Sequence, residues 1–400
     1  MRSVPLAPHV AQQSELVSEA ARNPVKVLRG WSQWESAELS VATLFADPHR
    51  DRLAQAVQAS LSRLAVTIDL RSVPASLARN GTAGRISVPH AAAQIVQRQG
   101  AVLGAGFGGD PLTPIARLWR GLQRRADVLV DVRQCTTLSG SEAERAGNLR
   151  DVLLVTQRIV DRSVRHSHSD SQSADRWTRA RDSAETVYRL AAAGQRSVLL
   201  VLPVGRGIGA QACFADALER HARAQRLPAP RAVKAGLLAA LLAGARGDTR
   251  WLVASVMPIE ELSQLVAEAI GDTGPWPVVS IGRGATFYDM PVTSASVDDP
   301  VPMLLALVNQ LQRSGRVTIA RAMFDALTVT MSAEARIREE LGRALSVPVD
   351  AFLRGVSANW GRTPLRAAIT ETDARALHVQ WPSPLDAECD APLKWRRTVA

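Results

Sequence analysis

Three stretches of the sequence carry residue types and spacings that could do chemistry. The first is RSVLLVLPVGRGIGAQACF, residues 196–214, in which an apolar run leads into closely spaced glycines and then a predicted helix. A strand, a glycine loop and a helix in this order can cradle an anion, because the helix N-terminus offers free N–H groups. Gly205, Gly207 and Gly209 do not have the dinucleotide-binding spacing, so an ordinary strand-to-helix turn that needs glycine is the alternative.

The other two stretches are a second glycine run and a polar segment. Gly104–Gly109 follows an apolar run and matches GxGxxG, but two prolines follow at once, and the alternative is a glycine-rich strand end. The polar segment contains His166, His168 and Asp170, which are residue types that bind metal. Such a segment is more often an exposed Ser/His loop with no apolar residues to pack against the core, so we expect no metal there.

The elements that must position these residues alternate along the chain. Short apolar runs typical of strands, such as residues 126–132 and 197–202, are separated by helical segments. This alternation predicts an α/β fold with a largely parallel central sheet flanked by helices. Residues 162–179 are predicted to form a protruding arm or loop, and residues 329–400 a helix followed by a Pro-rich tail.

Composition limits the class of protein. The chain has 400 residues, of which 46% are hydrophobic, enough for two domains or one large two-lobed unit. No run approaches the ~20 apolar residues of a membrane span, and no secretory signal is expected. Three widely separated cysteines, Cys135, Cys213 and Cys389, indicate buried thiols in a reducing cytoplasm. The net charge of +10 is carried almost wholly by arginine, so polyanion binding is an alternative, although nucleic acid is not expected.

Six segments, taken together and in order, resemble the isocitrate/isopropylmalate dehydrogenase family of β-decarboxylating dehydrogenases. They are AVLGAGFGGD, ADVLVDVR, LRDVLLV, RSVLLVLP, WLVASVMPIEELSQ and YDMPVTSASVDDPVPMLLAL. The resemblance implies an isopropylmalate dehydrogenase-like two-lobed fold, and either a homodimer or a hetero-oligomer with a related dehydrogenase subunit. The implied divisions are an N-terminal extension (1–38), a dehydrogenase-like region (39–328), and a C-terminal helix and tail (329–400). Within the dehydrogenase-like region, the first lobe would comprise about 39–132 plus 278–328, and the second lobe, which carries the arm, about 133–277.

The catalytic residues of that family do not match this sequence. The family oxidises a 2-hydroxy acid with NAD(P) and decarboxylates it with the help of Mg²⁺ or Mn²⁺. The resemblance implies that this chemistry would need a lysine near Val204 and a tyrosine near Ser163. No lysine lies between Lys26 and Lys234. Of the positions implied to bind metal or substrate, only two keep a suitable side chain. The matched positions are Gly236, Glu260 and Gln264 for the metal carboxylates, Gln123, Arg133 and Thr156 for the substrate arginines, and Thr293 and Ser294 in the cofactor segment.

We therefore predict a degenerate, non-catalytic member of this family that acts as a regulatory or stabilising partner, or as a ligand-binding protein. No catalytic residue, cofactor or metal is expected, and Arg133, Arg206 and Glu260 are the candidate pocket for a small anionic ligand. The alternative is a repurposed or still active NAD(P)-linked oxidoreductase on a 2-hydroxy acid, in which the same three groups and the His166/His168 loop carry the chemistry.

Overall fold

The computed structural model describes most of the chain from residue 37 to residue 360. The described residues are 37–45, 47–62, 64, 66–73, 90–105, 113–136, 151–158, 169–202, 208–244, 250–270, 274–291, 299–341 and 348–360. The chain divides after Ala37, and Glu38–Ala400 forms one unit. Among the described residues, no helix is both long and apolar enough to cross a membrane.

The described residues form ten strands in a single sheet, in the order β2-β1-β3-β10-β9-β4-β5-β8-β6-β7. Of the eight pairings with a described register, five are parallel and three are antiparallel, and the antiparallel ones (β10–β9, β9–β4 and β4–β5) adjoin at the centre. The predicted α/β fold with a mostly parallel sheet is therefore confirmed. The strands are β1 (Ala37–Phe45), β2 (Val66–Ser72), β3 (Ala101–Ala105), β4 (Val128–Thr136), β5 (Asp151–Gln157), β6 (Ser197–Leu202), β7 (Arg231–Lys234), β8 (Trp251–Ser255), β9 (Val278–Gly282) and β10 (Thr286–Met290).

Ten helices accompany the sheet in the same described ranges. They are α1 (Pro48–Leu61), α2 (His90–Gln99), α3 (Pro114–Arg125), α4 (Ser169–Ala193), α5 (Ile208–Gln225), α6 (Ala235–Gly244), α7 (Ile259–Ile270), α8 (Val301–Arg313), α9 (Val317–Leu341) and α10 (Val349–Asn359). Two of them begin with local signals that the sequence carries. Asp47 accepts a hydrogen bond from the His49 N–H at the start of α1, and Thr113 accepts one from the Ala116 N–H at the start of α3.

One face of the sheet, which we call the front face, carries two separate apolar clusters. The first joins β1, β3 and β10 to α2 and α3, and includes the edge-to-face pair of Trp119 and Phe287, whose ring centroids are 5.3 Å apart. The second joins β5, β6, β7 and β8 to α6 and α7, and includes Leu199, Val253 and Leu262. Between them lie the central antiparallel strands, so residues on the front face of β4 and β9 lie between two cores.

Several predicted elements differ from the observed ones. The arm predicted over residues 162–179 becomes helix α4 from Ser169 onward, because its buried stripe of Ala180, Ala184 and Val187 begins only in the later turns. The sequence predicted one helix over residues 232–244, because RAVK of β7 runs directly into the apolar sequence of α6, so this prediction is wrong for β7. Strand β10 was not predicted. Beyond residue 329 the chain adds α10, which joins the body through a 3.0 Å hydrogen bond between the Ser60 and Ser357 hydroxyls, where the sequence predicted a tail.

Candidate functional site

Polar side chains gather on the front face between the two apolar clusters, on β4 and the strands on either side of it. Asp131 on β4 lies opposite Ser280 on β9 and opposite Thr156 on β5. Residues directly opposite each other in antiparallel strands point to the same face, so all three side chains lie on the front face. All three are at least 93% buried, with exposed fractions of 7%, 1% and 2%.

Four side chains form a closed ring of hydrogen bonds here, which we call the polar ring: Asp131 and Ser280 from the strands, Gln123 from α3, and Arg158 directly after β5. The Ser280 hydroxyl donates to Asp131 Oδ1 at 2.6 Å, and Arg158 Nε donates to Asp131 Oδ2 at 2.7 Å. Arg158 Nη1 donates to Gln123 Oε1 at 2.7 Å, and Gln123 Nε2 donates to Ser280 Oγ at 3.3 Å. Each carboxylate oxygen of Asp131 thus accepts a hydrogen bond, which compensates the cost of burying its charge.

Asp289 lies beside the polar ring and is its main titratable neighbour. Phe287 packs in the first apolar cluster on the front face. Asp289 follows it by two residues on β10, so the Asp289 side chain points to the same face. Burial raises the pKa of Asp289 to about 7, with the negative charges of Glu260 and Asp131 adding to the rise and the arginines at 158 and 50 opposing it. At neutral pH the protonated and ionised forms of this carboxyl are therefore both populated.

The structure brings two of the three predicted pocket residues to this region. Arg133 is two residues from Asp131 on β4, so its side chain lies on the front face, and its Nη2 donates to the Gly274 carbonyl at 3.4 Å. Val278 of β9 lies between Arg133 and Asp289, which places these two residues about 10 Å apart across two strand spacings. Glu260 is exposed in the first turn of α7, near enough to Asp289 to raise its pKa.

Several predicted residues cannot be placed. Gly205, Arg206 and Gly207 lie outside the described residues, as do His166, His168 and the cofactor segment at residues 292–298. Gly209 lies in the first turn of α5, and Asp170 lies in the first turn of α4. Of the three cysteines, Cys135 is buried and Cys213 is half-buried, and Cys389 lies outside the described residues.

Sequence reasoning did not select Asp131, Arg158, Asp289 or Ser280. A signal was present, because Asp131 and Asp289 interrupt the apolar strands VLVDV and TFYDM, where a charge is costly unless it is compensated. The sequence pointed to Gln123 only because the resemblance implied an arginine at that position. The structure shows why a glutamine suits that position here: its amide links Arg158 to Ser280.

The described part of this face does not fit a divalent cation. Mg²⁺ and Ca²⁺ need several free oxygen ligands, whereas both oxygens of Asp131 accept hydrogen bonds from Ser280 and Arg158. The guanidinium groups at residues 158 and 50 also act on Asp289. No set of three His, Cys, Asp or Glu side chains among the described residues is arranged to hold a metal ion.

A separate pocket of about 250 Å³ lies at the turn between β9 and β10, beside the ends of α2 and α8. Its wall includes Arg283, which forms ion pairs with Asp127 and Asp182, and Gln310, which accepts a 2.6 Å hydrogen bond from the Tyr288 hydroxyl. These polar contacts fasten the β9–β10 turn to α4, and strand β10 to α8. They form no ring like that around Asp131, so the front face remains the candidate site.

Comparison with known proteins gives a structural match. No protein-family model matches the chain, and none of the curated proteins matches it. The crystal structure of the TT0538 protein from Thermus thermophilus is similar, with a TM-score of 0.63 and 18% sequence identity, over 87% of this chain and 72% of that chain. At this level of identity the similarity shows a shared fold.

Proposed function

We propose that this chain is a non-catalytic protein with the two-lobed fold of the isocitrate/isopropylmalate dehydrogenase family, in which the former reaction site has become a binding or structural site. The observation that carries this proposal is the polar ring. Its arginine already donates to Asp131 and Gln123, so these donors are engaged within the protein. An arginine that serves a substrate would instead present its paired N–H groups to the substrate's carboxylate.

The residue types at the implied catalytic positions support the same proposal. Oxidation of a 2-hydroxy acid needs a group that removes the hydroxyl proton, and decarboxylation needs a group that returns a proton to the product. The lysine implied near Val204 has no counterpart between Lys26 and Lys234, and Gly236 and Gln264 replace two of the implied metal carboxylates. Because these replacements affect different steps, a single compensating change does not restore the reaction.

The proposed binding role is for a small anion held at the front face. Arg133 supplies positive charge there, and Arg50, which is 7% exposed, lies near enough to affect Asp289. Protonation of Asp289 removes a negative charge from this group, so we expect an anion to bind more tightly as the pH falls below 7. A regulatory or stabilising role in complex with a related dehydrogenase subunit, in the cytoplasm, is compatible with this site.

One observation favours the repurposed enzyme as the second candidate. A carboxyl with a pKa of about 7 is suited to donate and accept protons at physiological pH, and Asp289 has this property. In that case Asp289 would be the general acid or base, and Glu260 and Arg133 would orient the substrate. Turnover of a substrate separates the two candidates.

The test is an activity assay with a matched variant. We expect no reduction of NAD or NADP by the purified protein with isocitrate, isopropylmalate, malate or tartrate, in the presence of Mg²⁺ or Mn²⁺. Binding of malate and of inorganic phosphate would be measured by calorimetry at pH 6 and pH 8, for the wild type and for Arg133→Gln. Turnover that Asp289→Asn abolishes would refute the non-catalytic proposal and support the second candidate.

A further inference from the structure

Part of the pocket at the turn between β9 and β10 is built from the face of the sheet opposite the front face. Phe287 points to the front face, so its neighbours Thr286 and Tyr288 on β10 point to the other face, which we call the back face. Helix α8 packs on the back face, since its Gln310 accepts the hydrogen bond from Tyr288. Thr286, Gln310 and Arg313 of α8 line the pocket, so these side chains reach it from the side of the sheet that does not carry the polar ring.

The uncharged side chains of the pocket offer hydrogen-bond donors to a ligand. The Gln310 amide oxygen accepts a 2.6 Å hydrogen bond from the Tyr288 hydroxyl, so the amide N–H₂ group is what Gln310 has left to offer. Thr286 adds a hydroxyl at the first position of β10. No Asp or Glu is among the described residues that line the pocket, so an anion bound there meets no carboxylate from them.

Arg283 in the β9–β10 turn supplies positive charge to the pocket wall. Its Nε lies 3.5 Å from Asp127 Oδ2, and its Nη2 donates to Asp182 Oδ2, so the N–H groups on Nη1 remain for a ligand. The same two aspartates also form ion pairs with Arg179 and Arg181. Three arginines thus share two aspartates, which leaves a net positive charge beside the pocket.

Arg313 brings a second guanidinium group to the pocket. It is half-buried in the last turn of α8. Burial lowers the pKa of Arg313, but an arginine keeps its charge at physiological pH. Burial also raises the pKa of the neighbouring Tyr288 hydroxyl, so this hydroxyl stays neutral and adds no negative charge. Two guanidinium groups in one pocket suit a ligand with two negative charges.

We propose that this pocket binds the phosphate group of a small phosphate monoester. Donors reach it from three elements, which are the β9–β10 turn, the end of α8 and the start of β10. A phosphate group carries close to two negative charges at pH 7 and has three acceptor oxygens that point in different directions, whereas a carboxylate has two oxygens in one plane. The volume of about 250 Å³ lies below the ~300 to 1,000 Å³ of sites for drug-sized ligands, so the organic part of the ligand must be small. This site is separate from the front face and does not depend on the binding role proposed there.

The first test measures the binding of glycerol 3-phosphate to the full chain by calorimetry. Arg133→Gln is the background for this test, because the front face is expected to bind anions as well. We expect one glycerol 3-phosphate per chain, and adding Gln310→Glu is expected to weaken binding by about 10-fold or more. The glutamate still accepts the hydrogen bond from Tyr288, whereas its second oxygen puts negative charge where the N–H₂ donors were. Arg321→Gln is the matched control, because Arg321 is exposed on α9 and does not line the pocket, and it should change the affinity by less than about twofold.

The second test addresses the ligand class and the folding of the variants. In the same background, malate is expected to bind about 10-fold more weakly than glycerol 3-phosphate, and malate binding of equal strength would overturn the assignment to phosphate. Thr286→Val keeps the shape of the side chain and is expected to weaken binding of glycerol 3-phosphate about 5-fold by removing one hydrogen bond. It replaces Gln310→Glu in the test if circular dichroism shows that variant to be unfolded. No binding of glycerol 3-phosphate, or an unchanged affinity in the folded pocket variants, would overturn the proposal, and neither result depends on turnover of a 2-hydroxy acid.

Discussion

Replacing Asp289 by asparagine gives the sharpest test of the electrostatics at the front face. The pKa of this carboxyl is raised from 3.8 to about 7, chiefly by burial. A raised carboxyl pKa means that the folded state holds the proton more tightly than the unfolded state. The contribution of Asp289 to the free energy of unfolding of the wild type therefore falls as the pH rises from about 4 to about 7, and then levels. A rise of about three units corresponds to about 4 kcal/mol, which is an upper value because the side chain keeps some contact with solvent.

Asp289→Asn keeps the shape of the protonated carboxyl and removes the ionisation. We expect the variant and the wild type to be equally stable near pH 4, and the variant to be more stable by about 2 to 4 kcal/mol at pH 8. Urea unfolding followed by circular dichroism at pH 4.5, 6 and 8 measures the difference. Asp69→Asn, at an exposed position on β2, is the matched control, and its effect should stay within about 0.5 kcal/mol at every pH. If Asp289→Asn is less stable than the wild type at pH 8, the reasoning about the burial of this carboxyl is refuted.

Three further substitutions test the ring and the packing around it, each by urea unfolding. Arg158→Met should lower the free energy of unfolding by about 3 to 5 kcal/mol, because it leaves Asp131 buried without its arginine. Adding Asp131→Asn should recover part of that loss, and an unchanged stability of Arg158→Met would contradict the polar ring. Phe287→Ala should cost about 3 to 5 kcal/mol by opening a cavity in the first apolar cluster, and an effect below about 1 kcal/mol would contradict its burial. Gly282→Ala should lower the free energy of unfolding by about 1 to 3 kcal/mol, since its Cβ would lie 2.6 Å from the carbonyl oxygen of Ala126. An unchanged stability would contradict this close approach in the β9–β10 turn.

The elements most accessible from the sequence were those whose pattern is local. Strand β6 was predicted at residues 197–202 because SVLLVL is an unbroken apolar run. Its four central residues, 198–201, are buried. Helix α1 has an equally local signal, an apolar stripe that includes Leu53, Val57 and Leu61, all of which are buried. Both signals depend only on residues a few positions apart.

The polar ring was not accessible in this way. Gln123 and Ser280 are 157 residues apart and are joined by a hydrogen bond only because the β9–β4 register sets Ser280 opposite Asp131. The sequence shows a charged residue inside an apolar strand, but it does not show which distant side chain compensates it. The three antiparallel pairings at the centre of the sheet were likewise not predicted, since alternation of strands and helices indicates parallel neighbours.

By itself, then, the sequence determined the α/β class, the main buried strands and the absence of a lysine between Lys26 and Lys234, because these depend on composition and local periodicity. Only the tertiary structure decided that Arg158 faces Asp131, that Asp289 titrates near neutral pH, and that an apolar face of α6 meets solvent. The physical reason is the same in each case. Burial and charge compensation depend on what lies across the sheet or above it, and strand register brings together residues that local patterns cannot relate.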